Sequence, residues 1–178
     1  MGAGKSTVGR QLAERLGKRF IDADRELESR LGVSIAVIFD VEGEAGFRRR
    51  EALLLAELTQ ETDIVLATGG GAIEDGATRS ALKSRGMTIY LAASPKELSS
   101  RTRGDRNRPM LHGAEPEERL EELLRRREAW YREVADLVVE TGRPSVSRLT
   151  LMILEALREH PVGMELLRQM HDPARSDA

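Results

Sequence analysis

Gly2-Ala3-Gly4-Lys5-Ser6-Thr7 opens the chain, and the fold turns on how these residues are read. The phosphate-binding pattern G-x-x-x-x-G-K-[ST] ends here at Gly4-Lys5-Ser6. Its glycines let backbone N–H groups turn inward around phosphate oxygens, its lysine adds a mobile cation, and the next hydroxyl can ligate Mg²⁺. A helical stripe follows directly at Val8, Leu12 and Leu16, with Gly17 as its stop. Phosphates bound by this loop would also sit on a helix N-terminus, where the dipole favours negative charge. Counting back from Gly4, the first glycine of the pattern falls before Met1, and no strand leads into the loop. An ordinary flexible glycine-rich terminus is the alternative, but these residues by themselves already favour a phosphate loop, and the remainder of the chain adds to that reading.

The remainder alternates short β-like runs with helical stretches. The strand candidates are Arg19–Ala23, Ile64–Thr68, Met87–Leu91 and Leu137–Glu140, all rich in Val and Ile. Helical patterning is expected near Lys5–Leu16, Asp24–Leu31, Gly43–Glu61, Asp75–Ser84, Pro95–Thr102, Pro116–Glu133 and Val146–His160, with Gly32 and Gly86 as stops. A β-α-β-α rhythm implies a parallel sheet covered by helices on both faces. The 178 residues suit one domain with a real core. Arg103–Glu115, with five charged residues besides Gly104, Pro109 and Gly113, reads as a mobile surface loop. The stretch 161–178 reads as a tail, partly disordered, whose Met164, Leu166, Leu167 and Met170 suit a helical turn or two of docked packing.

Composition narrows the function classes. Hydrophobic residues at 40% and charged residues at 33% are globular values, and the net charge of −2 gives no bulk attraction to nucleic acid or membrane. Aromatics at 3% disfavour a stacking platform for single strands. There is no cysteine, so no disulfide framework and no thiolate site. No apolar run is long enough to cross a bilayer and no signal pattern opens the chain, so a soluble cytoplasmic protein is expected.

Several residues have the chemistry for a site. Asp22 and Asp24 flank Ala23 at a strand end, and side chains two apart on a strand share a face. One can then hold Mg²⁺ through water while the other accepts a hydroxyl proton; equally, Asp24 can simply cap the next helix. Gly69-Gly70-Gly71 follows a strand candidate and permits close approach of backbone to a ligand. Arg48-Arg49-Arg50 and Arg125-Arg126-Arg127 are scattered around helices, so at most one or two of each run can face a site, and solvated faces are the plainer reading. Arg108 ends a basic loop of the kind that can swing onto transferring phosphates. His112, His160 and His171 have no metal-ligand spacing and read as surface residues, and Trp130 and Tyr131 read as packing.

Taken together these motifs resemble the shikimate kinase family, within the nucleoside-monophosphate-kinase-like P-loop group. The resemblance rests on Gly2–Thr7, Phe20-Ile-Asp-Ala-Asp24, Ile38-Phe39 with Glu42-Gly43-Glu44, Phe47-Arg48-Arg49-Arg50-Glu51, Ala67-Thr-Gly-Gly-Gly71, Arg101, Arg108-Pro109-Met110-Leu111, and Arg127 ahead of Tyr131. They come in the family's order and at its spacing, from Met1 to about His160. The resemblance implies a P-loop three-layer α/β/α sandwich with a parallel sheet, a kinase domain over residues 1–160, and a lid at about 103–115. It implies ATP-dependent phosphorylation of the 3-hydroxyl of shikimate, by a monomer using Mg²⁺, with no nucleic-acid or membrane partner. A gluconate-type kinase and a non-catalytic ligand sensor on the same fold are the alternatives.

It also assigns roles. Gly2, Ala3, Gly4, Lys5, Ser6 and Thr7 hold ATP phosphates, with Lys5 on the β- and γ-phosphates. Ser6 and Asp22 serve the metal, and Asp24 binds the attacking hydroxyl and takes its proton. Arg48 and Arg127 grip the substrate carboxylate, braced by Glu51, beside the backbone of Gly69, Gly70 and Gly71. Arg108 reaches ATP phosphates from the lid, while Arg101 and Arg143 border adenine. Many members carry a central strand and then Gly-x-Met-Gly-Ala-Gly-Lys-Ser. Met1 falls at that loop methionine, so the resemblance implies that the central first strand is missing from this chain.

Overall fold

The computed structural model describes residues 2–102, 116–142 and 144–168. Helix α1 (Lys5–Arg15) leads to strand β1 (Arg19–Asp22) and then α2 (Ala23–Leu31) and α3 (Ile35–Leu58). Strand β2 (Ile64–Ala67) is followed by a 3-10 turn at Ala72–Glu74, helix α4 (Gly76–Arg85) and strand β3 (Ile89–Ala92). Then come α5 (Pro95–Thr102), α6 (Pro116–Val134), β4 (Leu137–Glu140), α7 (Val146–Glu159) and α8 (Pro161–Arg168). The alternation expected from the sequence is present, with element ends shifted by a residue or two except in α3, which starts eight residues earlier than expected. The expected lid at 103–115 lies outside the described residues, as does the end of the tail, whose first half is α8.

Local chemistry explains the helix starts. The Asp22, Ser34, Asp75 and Ser145 side chains each accept from a backbone N–H in the first turn of α2, α3, α4 and α7. The expected helix at Gly43–Glu61 is the second half of a longer element. Its chain turns at Gly43, whose φ of 69° and ψ of 179° break the helical path. The first half, Ile35–Glu42, carries the apolar run Ile35–Phe39, too short to show a helical period.

The strands pair in parallel, β1 with β2 and β3 with β4. Alternation along β2 shows the layering. Ile64 and Leu66 pack against a cluster built on Phe47, Leu54, Leu55 and Leu58 of α3, whereas Val65 packs against Val8, Leu12, Ile153 and Leu157 of α1 and α7. The strand is thus covered on both faces, which its continuous apolar run requires. Between the two pairs the sheet is open: β2 and β3 do not hydrogen-bond to one another. A cavity of about 490 Å³ lies there, lined by both strands and by Val8, Leu12 and Leu16 of α1. The parallel pairing expected from the sequence is present, in two half-sheets.

Candidate active site

The glycine loop feeds α1 directly. Gly4 is the residue before the helix, with φ 84°, a left-handed conformation that disfavours any side chain, and Gly2 is similar at φ 72°. No side chain caps α1 and its first turn holds no acidic residue, so its N–H groups and dipole face the loop without a resident anion on that turn. Thr7 is exposed in that turn, and Ala3 is buried against Ala93, Leu98 and Leu120. Arg101, at the end of α5, donates to the carbonyls of Thr141 at 2.6 Å and Gly142 at 3.2 Å, and to that of Gly2 at 3.5 Å. It ties the loop to the segment leaving β4. Arg143 and Arg108 lie outside the described residues.

Ser6 and Asp22 meet: Ser6 Oγ donates to Asp22 Oδ2 at 2.5 Å. Two hard oxygen donors side by side at a phosphate loop suit Mg²⁺, which keeps several waters and takes few protein ligands. The residues present fit that ion.

Asp24 is placed differently from the expectation. The strand ends at Asp22 and Ala23 already belongs to α2, so the two carboxylates do not share a strand face. Asp22 caps the helix, accepting from the Arg25 N–H at 3.4 Å, and Asp24 stands in the first helical turn. Burial, and then the neighbouring Asp22 carboxylate, push Asp24 above its ordinary range, while Lys5 and Arg48 pull the other way. The cap reading therefore belongs to Asp22, and Asp24 is left as a half-buried carboxylate between the loop lysine and Arg48.

Arg48 and Arg127 come from α3 and α6. They are the member of each arginine run that reaches the site: Arg49, Arg125 and Arg126 are exposed, Arg50 pairs with Glu42, and Arg127 is 4% exposed. Arg48 Nη1 donates to Glu51 Oε2 at 2.5 Å, and Arg127 Nε to Glu74 Oε1 at 2.9 Å. Burial opposes the Arg48 charge, but Glu51, Glu74 and Glu44 outweigh it and hold the guanidinium above its ordinary value. Glu51, 4% exposed, is raised by burial, with Arg48 opposing.

Two of the three glycines have a packing reason. A Cβ at Gly69 would run into Glu51 Oε1 and lie 3.3 Å from Asp24 Oδ1; one at Gly71 would run into the Arg48 guanidinium. Gly71→Ala is expected to push the Arg48 guanidinium aside and weaken binding of a carboxylate substrate by up to about 1.5–3 kcal/mol, the worth of one charge-assisted hydrogen bond. Titration calorimetry checks this, and unchanged affinity would show that the added methyl does not displace Arg48 from the substrate.

Two residues of the site escaped sequence reasoning. Tyr131 donates its hydroxyl to the Gly70 carbonyl and stacks on Tyr90 with ring centroids 4.8 Å apart, so it braces the glycine turn besides packing. Its position four residues after Arg127 puts both on one face of α6 and was the available signal. Glu74 had none. His160 is half-buried with Nδ1 unpartnered, not a surface residue. Among the described residues no cluster of three His, Cys, Asp or Glu could hold a metal ion.

A phosphate loop opening α1, an oxygen pair for a divalent cation and a half-buried carboxylate beside paired arginines define a P-loop phosphotransferase for a small anionic acceptor. The family model of shikimate kinase matches residues 1–158. The chain belongs to the shikimate kinase family. It is 52% identical to the shikimate kinase of Nitrosococcus oceani over 163 residues, 92% of this chain and 86% of that one. It is 54% identical to that of Bordetella pertussis over 160 residues, covering 90% and 76% respectively. Its structure superposes on a shikimate kinase from Acinetobacter baumannii in complex with shikimate with a TM-score of 0.88 and 46% identity, covering 91% of this chain and 90% of that one. The Aquifex aeolicus shikimate kinase gives 0.79 and 32% identity, covering 92% and 95%. These neighbours carry the α/β P-loop kinase fold to this chain.

Proposed function

We infer that the chain transfers the γ-phosphoryl group of ATP to the 3-hydroxyl of shikimate, giving shikimate 3-phosphate and ADP in the pathway to the aromatic amino acids. The observation that carries the reading is the convergence of Arg48 and Arg127, from separate helices, beside the half-buried Asp24. Guanidinium matches carboxylate geometry, so this pair suits an acceptor that is both an acid and an alcohol.

Phosphoryl transfer to an alcohol needs in-line positioning and cations on the equatorial oxygens more than covalent help. The loop amides and Lys5 hold the β- and γ-phosphates. Ser6 and Asp22 would hold Mg²⁺, which neutralises developing phosphate charge when bound. Asp24 orients the 3-hydroxyl and accepts its proton as the new O–P bond forms and the bond to ADP breaks. Arg48 and Arg127 hold the carboxylate, with Glu51 bracing Arg48. Arg101 and Arg143 border the adenine, and Arg108 supplies a further cation to the phosphates. The enzyme acts as a cytoplasmic monomer without nucleic-acid or membrane partners.

A coupled assay of ADP release tests the reading. Mg²⁺-dependent release with shikimate and none with gluconate is the expected result. Release with gluconate alone overturns the substrate, and shikimate binding without release points to a sensor.

A further inference from the structure

Glu74 ends the 3-10 turn that follows the triple glycine, and its carboxylate reaches both arginines. Oε1 accepts from Arg127 Nε at 2.9 Å, and Oε2 lies 3.8 Å from Arg48 Nε. Among the described residues no other carboxylate ion-pairs with both. A carboxylate set between two guanidiniums is the arrangement that the functional reading gives to the substrate. We propose that Glu74 is a resident counter-ion that occupies the substrate carboxylate's place at Arg48 and Arg127 and is displaced when substrate binds. This rests on the reading of that pair as the substrate's carboxylate clamp.

The charges support an exchange over a simple addition. Two arginines face Glu51, Glu74 and, at the rim, Glu44, so their charge is already matched when the site is empty. A substrate carboxylate adds an unbalanced negative charge in a partly dry site unless one resident carboxylate leaves. Glu51 is the wrong one to move, since it is buried beneath Gly69 and bonded to Arg48 within the same helix. Glu74 is the one with room to move. Its side chain is 25% exposed, its turn is short, and it borders a cavity of about 240 Å³ shared with Arg48, Glu51 and Asp75. The arginines also keep donors in reserve: Arg127 Nη2 and Arg48 Nε are buried without a hydrogen-bond acceptor. Buried donors without partners are uncommon and ask for a ligand. Resident pairing keeps the clamp ordered and neutral while the site is empty, and it sets a cost that only an anion engaging both arginines recovers.

Glu74→Gln separates displacement from positioning, because the amide oxygen can still accept from Arg127 Nε while the charge is gone. Shikimate is titrated into the unaltered chain and into the variant, with KM, kcat, ATP affinity and Tm measured beside it. The expected result is a Kd and KM for shikimate lower by about three- to tenfold, the scale of one partly screened like charge. kcat and ATP affinity should stay within about twofold, and shikimate should raise the variant's Tm more than it raises the parent's. Unchanged or weaker shikimate binding by a variant that still binds ATP overturns the proposal and leaves Glu74 a positioning residue. If the unaltered chain itself fails to bind shikimate, the functional reading fails, and the proposal with it.

Discussion

Asp24→Asn is expected to lower kcat by about 10²–10⁴-fold, the range of a positioned general base, while ATP affinity stays within about twofold. Asparagine keeps the size of the side chain and an acceptor oxygen but cannot take the hydroxyl proton. The pH behaviour makes the test sharper. Burial and Asp22 raise Asp24 above its ordinary range, and only its ionised form accepts a proton. The acid limb of kcat/KM should therefore lie above the usual aspartate value of 3.8 and vanish in the variant. Stability moves the other way. A carboxyl raised in the folded state holds its proton more tightly there than in the unfolded chain. Its stabilising contribution is complete below the unfolded value and is lost as pH rises through the folded one. At neutral pH the variant should be at least as stable as the parent, so lost turnover cannot be traced to unfolding. Normal turnover with an unchanged acid limb would leave Asp24 without a catalytic role.

Much of this was legible in the sequence, for identifiable reasons. The alternation of β-branched runs with helical patterns located all four described strands, because strands covered on both faces read as continuous apolar runs. The cap residues Asp75 and Ser145 stand beside the expected starts of their helices. The carboxylates at 22 and 24 were visible as a pair, yet their relation turned on where β1 stops. Strand spacing says nothing about a cap that starts a helix at Ala23. Arg48 and Arg127 each sit in a run of three, and composition cannot say which member turns inward; that depends on the phase of a helix against its neighbours. Glu74 was illegible, since it reaches the arginines only through the turn after Gly71, which no periodicity encodes. Strand pairing is a long-range property, and the opening between β2 and β3 appears only once the register is known.

That opening carries the other large effect. An apolar β-strand joined ahead of Gly2 and ending in glycine should raise Tm by about 10 °C or more and tighten ATP binding. The inner edges of β2 and β3 face a cavity of about 490 Å³ in place of another strand. A buried backbone group without a partner costs about 1–3 kcal/mol, so satisfying even a few of them gives several kcal/mol. For a domain of this length each kcal/mol shifts Tm by about 2–4 °C. The topology supports such a strand, because both half-sheets are parallel and α1 packs on β1 and β2. An added strand running parallel between β2 and β3 would join α1 as a right-handed crossover to β1, the favoured hand. Its C-terminal end would deliver the chain to Gly2 and Gly4, and so brace the phosphate loop. It should be apolar on both faces, since Val8, Leu12 and Leu16 line one wall and Leu58 and Ile73 belong to the same cavity. A segment of equal length with alternating charges is the control. Hydrogen exchange should show new protection at β2 and β3 with the apolar strand and none with the charged one. Equal Tm and equal ATP affinity in the chain with and without the apolar strand would mean that the two half-sheets are complete as they stand.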